Sequence, residues 1–180
     1  MKKIWIGLFA CVIILSAVDL EGKIGMGLGF SPDTYQESGG LGLSLPIIDI
    51  AVTKIGLSPK MAIEPIIQFT LKGAGATSVH VALSGLGDFL VKGHNKTNLY
   101  GKAGLGFMIN SPGGGAETTF GFNLPFGFGL EHFVSENFSI NLTALSGITF
   151  ISNPTTGGDS YLEFKLGNEK PFAFYLLWYY

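Results

Sequence analysis

Along most of the chain, a large apolar residue occupies every second position, with a small or polar residue between. Ile24, Met26, Leu28 and Phe30 alternate with Gly25, Gly27 and Gly29. Met61, Ile63, Pro65, Ile67, Phe69 and Leu71 alternate with Ala62, Glu64, Ile66, Gln68, Thr70 and Lys72. The longest strict run is Phe120, Phe122, Leu124, Phe126, Phe128, Leu130, backed by Gly121, Asn123, Gly127, Gly129 and Glu131. Successive side chains of a strand point to opposite faces, so this period of two predicts strands with one apolar face. Further strands are predicted with Leu41, Leu43 and Leu45 resuming the pattern and the segment ending near Leu57. Others carry Val79, Val81, Leu83, Phe89 and Val91 (opposite His80, Ser84 and Asp88), then Leu99, Ala103, Leu105, Phe107 and Ile109, then Phe138, Ile140, Leu142 and Ala144. Pro46 and Ile47–Ile50 disturb the second segment, as a bulge or phase change. Loops are expected at Ser31–Ser38, Gly73–Thr77, Ser111–Glu117 and Ser152–Asp159, and tight turns at Ser58–Lys60, Gly93–Lys96 and Val134–Asn137. Tyr161–Leu166 and Phe172–Tyr180 read as one long strand interrupted at Gly167–Pro171, which makes about eight strands.

The two ends carry their own signals. Residues 1–17 read as a secretory signal peptide, with Lys2 and Lys3 before the apolar core Ile4–Leu15 and then Ser16 and Ala17. Cleavage is expected after Ala17, leaving residues 18–180 as the barrel domain. An acylated Cys11 is the weaker alternative. At the other end, Phe172, Phe174, Leu176, Trp178 and Tyr180 share one strand face. On a soluble protein that face would be a greasy edge prone to aggregation.

An apolar face can point inward, in a soluble barrel or sandwich, or outward to lipid, in a membrane barrel. The opposite face decides between them. It carries Gly, Ser, Thr and Asn with an occasional Glu or Lys, which suits a crowded interior better than water. Charged residues make up 13% of the 180-residue chain and hydrophobic ones 47%, against ~25% charged in ordinary soluble domains. Beyond the N-terminus, no apolar run approaches the ~18–20 residues of a membrane helix. The expected fold is therefore an all-β, antiparallel, up-and-down transmembrane barrel.

Strand rhythm, the segment Gly129–Ile140 and the terminal aromatic preceded by alternating hydrophobics together resemble the small outer-membrane barrel family typified by OmpA's membrane domain and OmpX. The resemblance spans roughly Gly22–Tyr180. It implies a Gram-negative-type outer membrane, lipid as surroundings, and a C-terminal ending read by the barrel-assembly machinery. It also implies periplasmic termini and turns, with the longer connections outside. That family is functionally mixed, so its activity does not carry over. The short expected outer loops weigh against an adhesin or receptor.

An eight-stranded barrel is just wide enough to be filled by its own side chains. The expected interior polar set is Glu64, Lys102, Glu131, Glu163 and Lys165, with Tyr100, Gln68 and Asn123. Charges there must be paired, so a structural salt-bridge network is the leading reading and a polar conduit the rival. The alternatives are a secreted, lipocalin-like barrel holding a hydrophobic ligand and a lipid-modifying outer-membrane enzyme. The enzyme would need a nucleophile and base together, for which His80 with Ser78 and Glu64 is the best candidate; His94 and His132 fall at turns. Neither Gly25–Gly29 nor Gly104–Gly106 precedes a helix, so neither is a nucleotide loop. All 11 basic residues are lysine and the net charge is −2, or −4 once Lys2 and Lys3 are gone. Without arginine or a basic run, nucleic acid is excluded as a partner. No cofactor, metal or catalysis is expected, and the protein is expected to be a monomer with a structural or minor channel role.

Overall fold

The computed structural model describes residues 18–30, 34–37, 40–43, 48–74, 76–111, 118–152, 161–165 and 172–180. Eight staves form one closed antiparallel sheet, in the order β1 (Ile24–Phe30), β4 (Ile50–Ser58), β5 (Met61–Ala74), β6 (Ala76–His94), β7 (Thr97–Ser111), β8 (Thr119–Ser135), β9 (Phe138–Ser152) and β11 (Phe172–Tyr179). The ring closes where β11 pairs with β1, Trp178 opposite Met26 and Phe174 opposite Phe30. No described residue is helical.

The last stave is split, as the interrupted alternation predicts. β10 (Tyr161–Lys165) pairs with β9 over Gly147–Ile151, and β11 pairs with it over Phe138–Ala144. Because β8 covers the other edge of β9, both pieces lie one after the other on the same edge. The first long connection differs from expectation. Thr34–Glu37 (β2) and Gly40–Leu43 (β3) form a separate two-stranded hairpin inside the stretch read as a loop. Leu41 and Leu43 thus belong to that hairpin, not to the second stave, which starts at Ile50 after non-strand residues 48–49. Pairing Tyr35 with Gly42 and Gln36 with Leu41 satisfies these backbones locally; the bulge or phase change expected at Pro46 falls on residues 44–47, which lie outside the described residues. The expected loop Gly73–Thr77 is likewise shorter, since β5 reaches Ala74 and β6 starts at Ala76. Residues 112–117 and 153–160, where the other two loops are expected, lie outside the described residues. The three tight turns occur at 59–60, 95–96 and 136–137. Asn95 takes φ 51° there, a left-handed conformation that asparagine tolerates well.

Pro65 and Pro125 each sit within a fully surrounded strand, where proline lacks a ladder donor. Both sit at gaps. The β4–β5 ladder skips from Val52↔Ile66 to Ile55↔Ile63, and the β7–β8 ladder from Ala103↔Phe126 to Gly106↔Asn123. On its other side each proline keeps a glycine as partner, Gly85 and Gly147.

Orientation follows the alternation. Met26, Ile67, Leu83, Phe107 and Phe128 are 51–61% exposed on the outside, while Ala62, Glu64, Leu86, Lys102, Asn123 and Glu131 are buried inside. Phe172, Leu176, Trp178 and Tyr180 are exposed on the outer face of β11. Phe174 lies on that face against Phe30, with ring centroids 5.4 Å apart. Outside, unbroken apolar or glycine positions run from 61 to 71, 99 to 109 and 120 to 130. Ten residue steps of ~3.3 Å, tilted by ~40°, make a band roughly 25 Å tall. On β8 the band is bounded by Thr118 and His132, and on β7 by Ser111 and Thr97.

Candidate functional site: the buried charge cluster

Inside the half of the barrel nearest the three tight turns, five ionisable side chains from five staves meet. Lys54 comes from β4, Glu64 from β5, Asp88 from β6, Lys102 from β7 and Glu131 from β8, and none is more than 3% exposed. Each stands four to seven residues from a turn, on the inner face of its strand. The hairpin registers therefore bring them to one level: Asp88 is directly opposite Lys102.

The contacts form a chain with two cations between three anions. Lys102 Nζ donates to Glu64 Oε2 at 2.8 Å and to both oxygens of Asp88 at 2.9 Å. Lys54 Nζ lies 2.7 Å from Asp88 Oδ2, 3.0 Å from Glu131 Oε2 and 3.8 Å from Glu64 Oε2. The same ammonium sits 3.9 Å above the Tyr100 ring, a cation–π contact that desolvation strengthens. The remaining oxygen of Glu131, Oε1, accepts from Ser139 Oγ at 2.6 Å and from the Tyr179 hydroxyl. Buried ions persist only when paired and hydrogen-bonded like this. Around them pack Leu86, Tyr175 and Leu177, each at most 2% exposed. This half of the interior is filled.

The turn-end mouth is occupied as well. Residues 18–23 double back beneath the ring: Gly22 N–H donates to Gly56 O at 3.2 Å, and Gly56 N–H to Lys23 O at 3.0 Å. Leu20 is 3% exposed and joins the interior apolar cluster. Asn98 grips Val18 from both sides, accepting from its N–H at 3.0 Å and donating to its carbonyl at 2.8 Å. The same Asn98 donates to the Tyr100 hydroxyl at 2.9 Å, which links the N-terminal segment to the charge cluster.

Of the expected interior set, Glu64, Lys102 and Glu131 come together here. Glu163 and Lys165 lie in β10, opposite Thr149 and Gly147 in the loop-side half; their side chains lie outside the described residues. Tyr100 is buried in the cluster. Asn123 is buried nearer the loops, and Gln68 donates to Asp49 Oδ2 at 3.1 Å. The alternation puts Asp88 on the inner face without joining it to the charges, and Lys54, Asn98 and Tyr179 are passed over. Lys54 was legible from Ile55 and Leu57, whose outward phase turns it inward. The apolar residues Ile50 and Val52, which share its inner face, masked that signal.

The candidate triad does not assemble. His80 is opposite Thr70, whereas Glu64 is opposite Leu86; six residue steps along β5 separate the two positions, about 20 Å. His94 contacts Asn95 and His132 contacts Thr97 at the exposed turn end. Among the described residues, no group of three or more His, Cys, Asp or Glu side chains is placed to hold a metal ion. No protein-family model matches the chain, and neither a curated protein nor a solved structure matches it.

Proposed function

We propose that the protein is an integral β-barrel of a Gram-negative-type outer membrane, exported as a precursor, and that its role there is structural and non-catalytic. The observation that carries this is the outer surface, apolar without a break over roughly 25 Å on β5, β7 and β8, with polar residues at the borders on β7 and β8. Water would make that band a severe aggregation liability, whereas acyl chains match it. The inner face supports the same reading, since its buried charges contact one another and not solvent. On this reading the outward row Phe172, Phe174, Leu176, Trp178 and Tyr180 is the ending that the barrel-assembly machinery engages, and lipid is the protein's main partner.

Between a structural role and a minor channel, the filled interior favours the former. A pathway along the axis would have to pass Lys54, Lys102 and three carboxylates that share every short contact, and then Leu20 in the mouth. Membrane fractionation and heat-modifiable gel mobility test the location. Planar-bilayer recording tests the closed interior: the wild type, Glu64→Gln and Lys102→Met are expected to stay at background conductance. Discrete steps from any of the three while folded would restore the channel reading. Recovery of the folded chain in a detergent-free soluble fraction would sink the membrane reading itself.

A further inference from the structure

We propose that the outer face binds the phosphate of an anionic phospholipid at its turn end, held by Lys60, Lys92 and Lys96 along the rim of β5, β6 and β7. The inference rests on the reading of the chain as a membrane barrel, and it adds one class of lipid headgroup as a specific ligand.

Backbone geometry aims these side chains. Phe89 is opposite Gly101, Leu90 opposite Tyr100 and Lys92 opposite Leu99, so Val91 is an extra residue in β6. Strict alternation from Phe89 would turn Lys92 inward. The bulge instead leaves it exposed on the outer face, which Leu99 shares with its partner Leu130. Lys60 comes to the same edge from the neighbouring turn, its carbonyl accepting from Leu90 N–H at 2.9 Å. β6 then runs on to His94, past the Met61↔Phe89 pair that ends its ladder with β5. Lys60 and Lys92 thus flank a step in the rim. Lys96 stands in the β6–β7 turn, its Nζ 3.5 Å from Val134 O.

The level is that of a headgroup. Thr97 and His132, which border the apolar band, are opposite each other, with Oγ1 and Nδ1 hydrogen-bonded at 2.9 Å. Lys92, beside Leu99, lies one outward position inside that border. A lysine so placed lays its stem on the apolar surface and carries its ammonium out to the phosphates.

The charge is unspent. Lys60, Lys92 and Lys96 are all exposed, and the ion pairs among the described residues belong to Lys54 and Lys102. The acids of this end lie elsewhere, Asp19 and Glu21 in the mouth segment and Glu136 in the β8–β9 turn. The far arc of the same rim carries rings in place of lysines: Trp178 and Phe138 with centroids 4.9 Å apart, and the exposed Tyr180. Aromatic rings suit an interface whatever its headgroup charge, whereas unpaired lysines select an anionic one.

The test uses the full chain, recovered folded from membranes and held in dodecyl maltoside micelles. Dioleoylphosphatidylglycerol or dioleoylphosphatidylcholine is added, and bound lipid is counted by native mass spectrometry. The anionic lipid is expected to bind at least about tenfold more tightly, since each basic side chain near an anionic headgroup is worth roughly fivefold. Lys92→Gln is expected to weaken it about fivefold, and the triple variant Lys60→Gln/Lys92→Gln/Lys96→Gln to bring it to the level of the zwitterionic lipid. Lys23→Gln removes the same charge from the mouth segment, which is fixed against β4 where a Cβ on Gly56 would collide with the Leu20 carbonyl oxygen. That variant is expected to bind within about twofold of wild type, because its lysine is not at the proposed site. Equal binding of the two lipids, an equal loss in Lys23→Gln, or displacement of the lipid by millimolar inorganic phosphate each overturns this inference and leaves the barrel reading standing. A chain found folded in the detergent-free soluble fraction overturns the barrel reading, and this inference with it.

Discussion

Replacing Lys102 with methionine probes the cluster at its most connected cation. The side chain is 3% exposed and donates at 2.8 Å to Glu64 and at 2.9 Å to both oxygens of Asp88. Methionine keeps most of the volume, so packing changes little and the electrostatic loss dominates. At ~3 Å and an effective dielectric of ~20, each unit-charge pair is worth roughly 5 kcal/mol before desolvation is counted. Removing the partner also leaves two buried carboxylates sharing Lys54, whose nearer contact is Asp88 at 2.7 Å and whose distance to Glu64 is 3.8 Å. Breaking such a pair typically costs about 3–5 kcal/mol, against a total stability on the order of 5–15 kcal/mol. With a urea slope of about 2 kcal/mol/M, the unfolding midpoint in detergent or lipid is expected to fall by roughly 2 M. The double variant Lys102→Met/Glu64→Met removes the buried charge left least compensated by the first change. It is expected to regain at least about 2 kcal/mol, because an apolar pair often replaces a buried ion pair at little cost. A single variant costing under about 1 kcal/mol, or a double variant no more stable than the single, would show that the cluster is not what holds the interior.

The remaining expectations follow from the two faces and the mouth. Leu124→Arg, at the centre of the outer band, is expected to lose about 2–4 kcal/mol in a bilayer by equilibrium unfolding; a neutral result would mean that position does not meet lipid. Gly56→Val is expected to expel residues 18–23, read as protease cleavage at Lys23 in a barrel that otherwise stays folded, and continued protection would refute the contact with Leu20. Tyr180→Ala removes an 83% exposed ring while its backbone pairing with Ile24 remains. Its stability is expected to change by less than about 0.5 kcal/mol while its assembled yield in cells drops; unchanged yield would remove Tyr180 from the assembly signal.

Much of this molecule was legible in its alternation. A period of two needs only local geometry to assign faces, so Glu64, Lys102 and Glu131 were read inward, and Phe128, Leu176 and Trp178 outward, from the chain alone. The turns at 59–60, 95–96 and 136–137 were equally local, since each is a short polar interruption between two alternating runs. The hairpin β2–β3 was not legible, because its Tyr35↔Gly42 and Gln36↔Leu41 pairs belong to short segments whose composition also suits a loop or the start of a stave. Nor was the closure of the sheet, which depends on Trp178 finding Met26 across nearly the whole chain.

What the amino-acid order determined by itself is which side of every strand is oily, because that depends on nothing beyond the pleat. Only the tertiary structure decided which polar residues meet. Lys54, Asp88 and Asn98 lie on three different staves, and their level relative to one another comes from strand register. The doubling back of residues 18–23 was decided at that level too, since it depends on the shape of a mouth that exists only after the ring has closed.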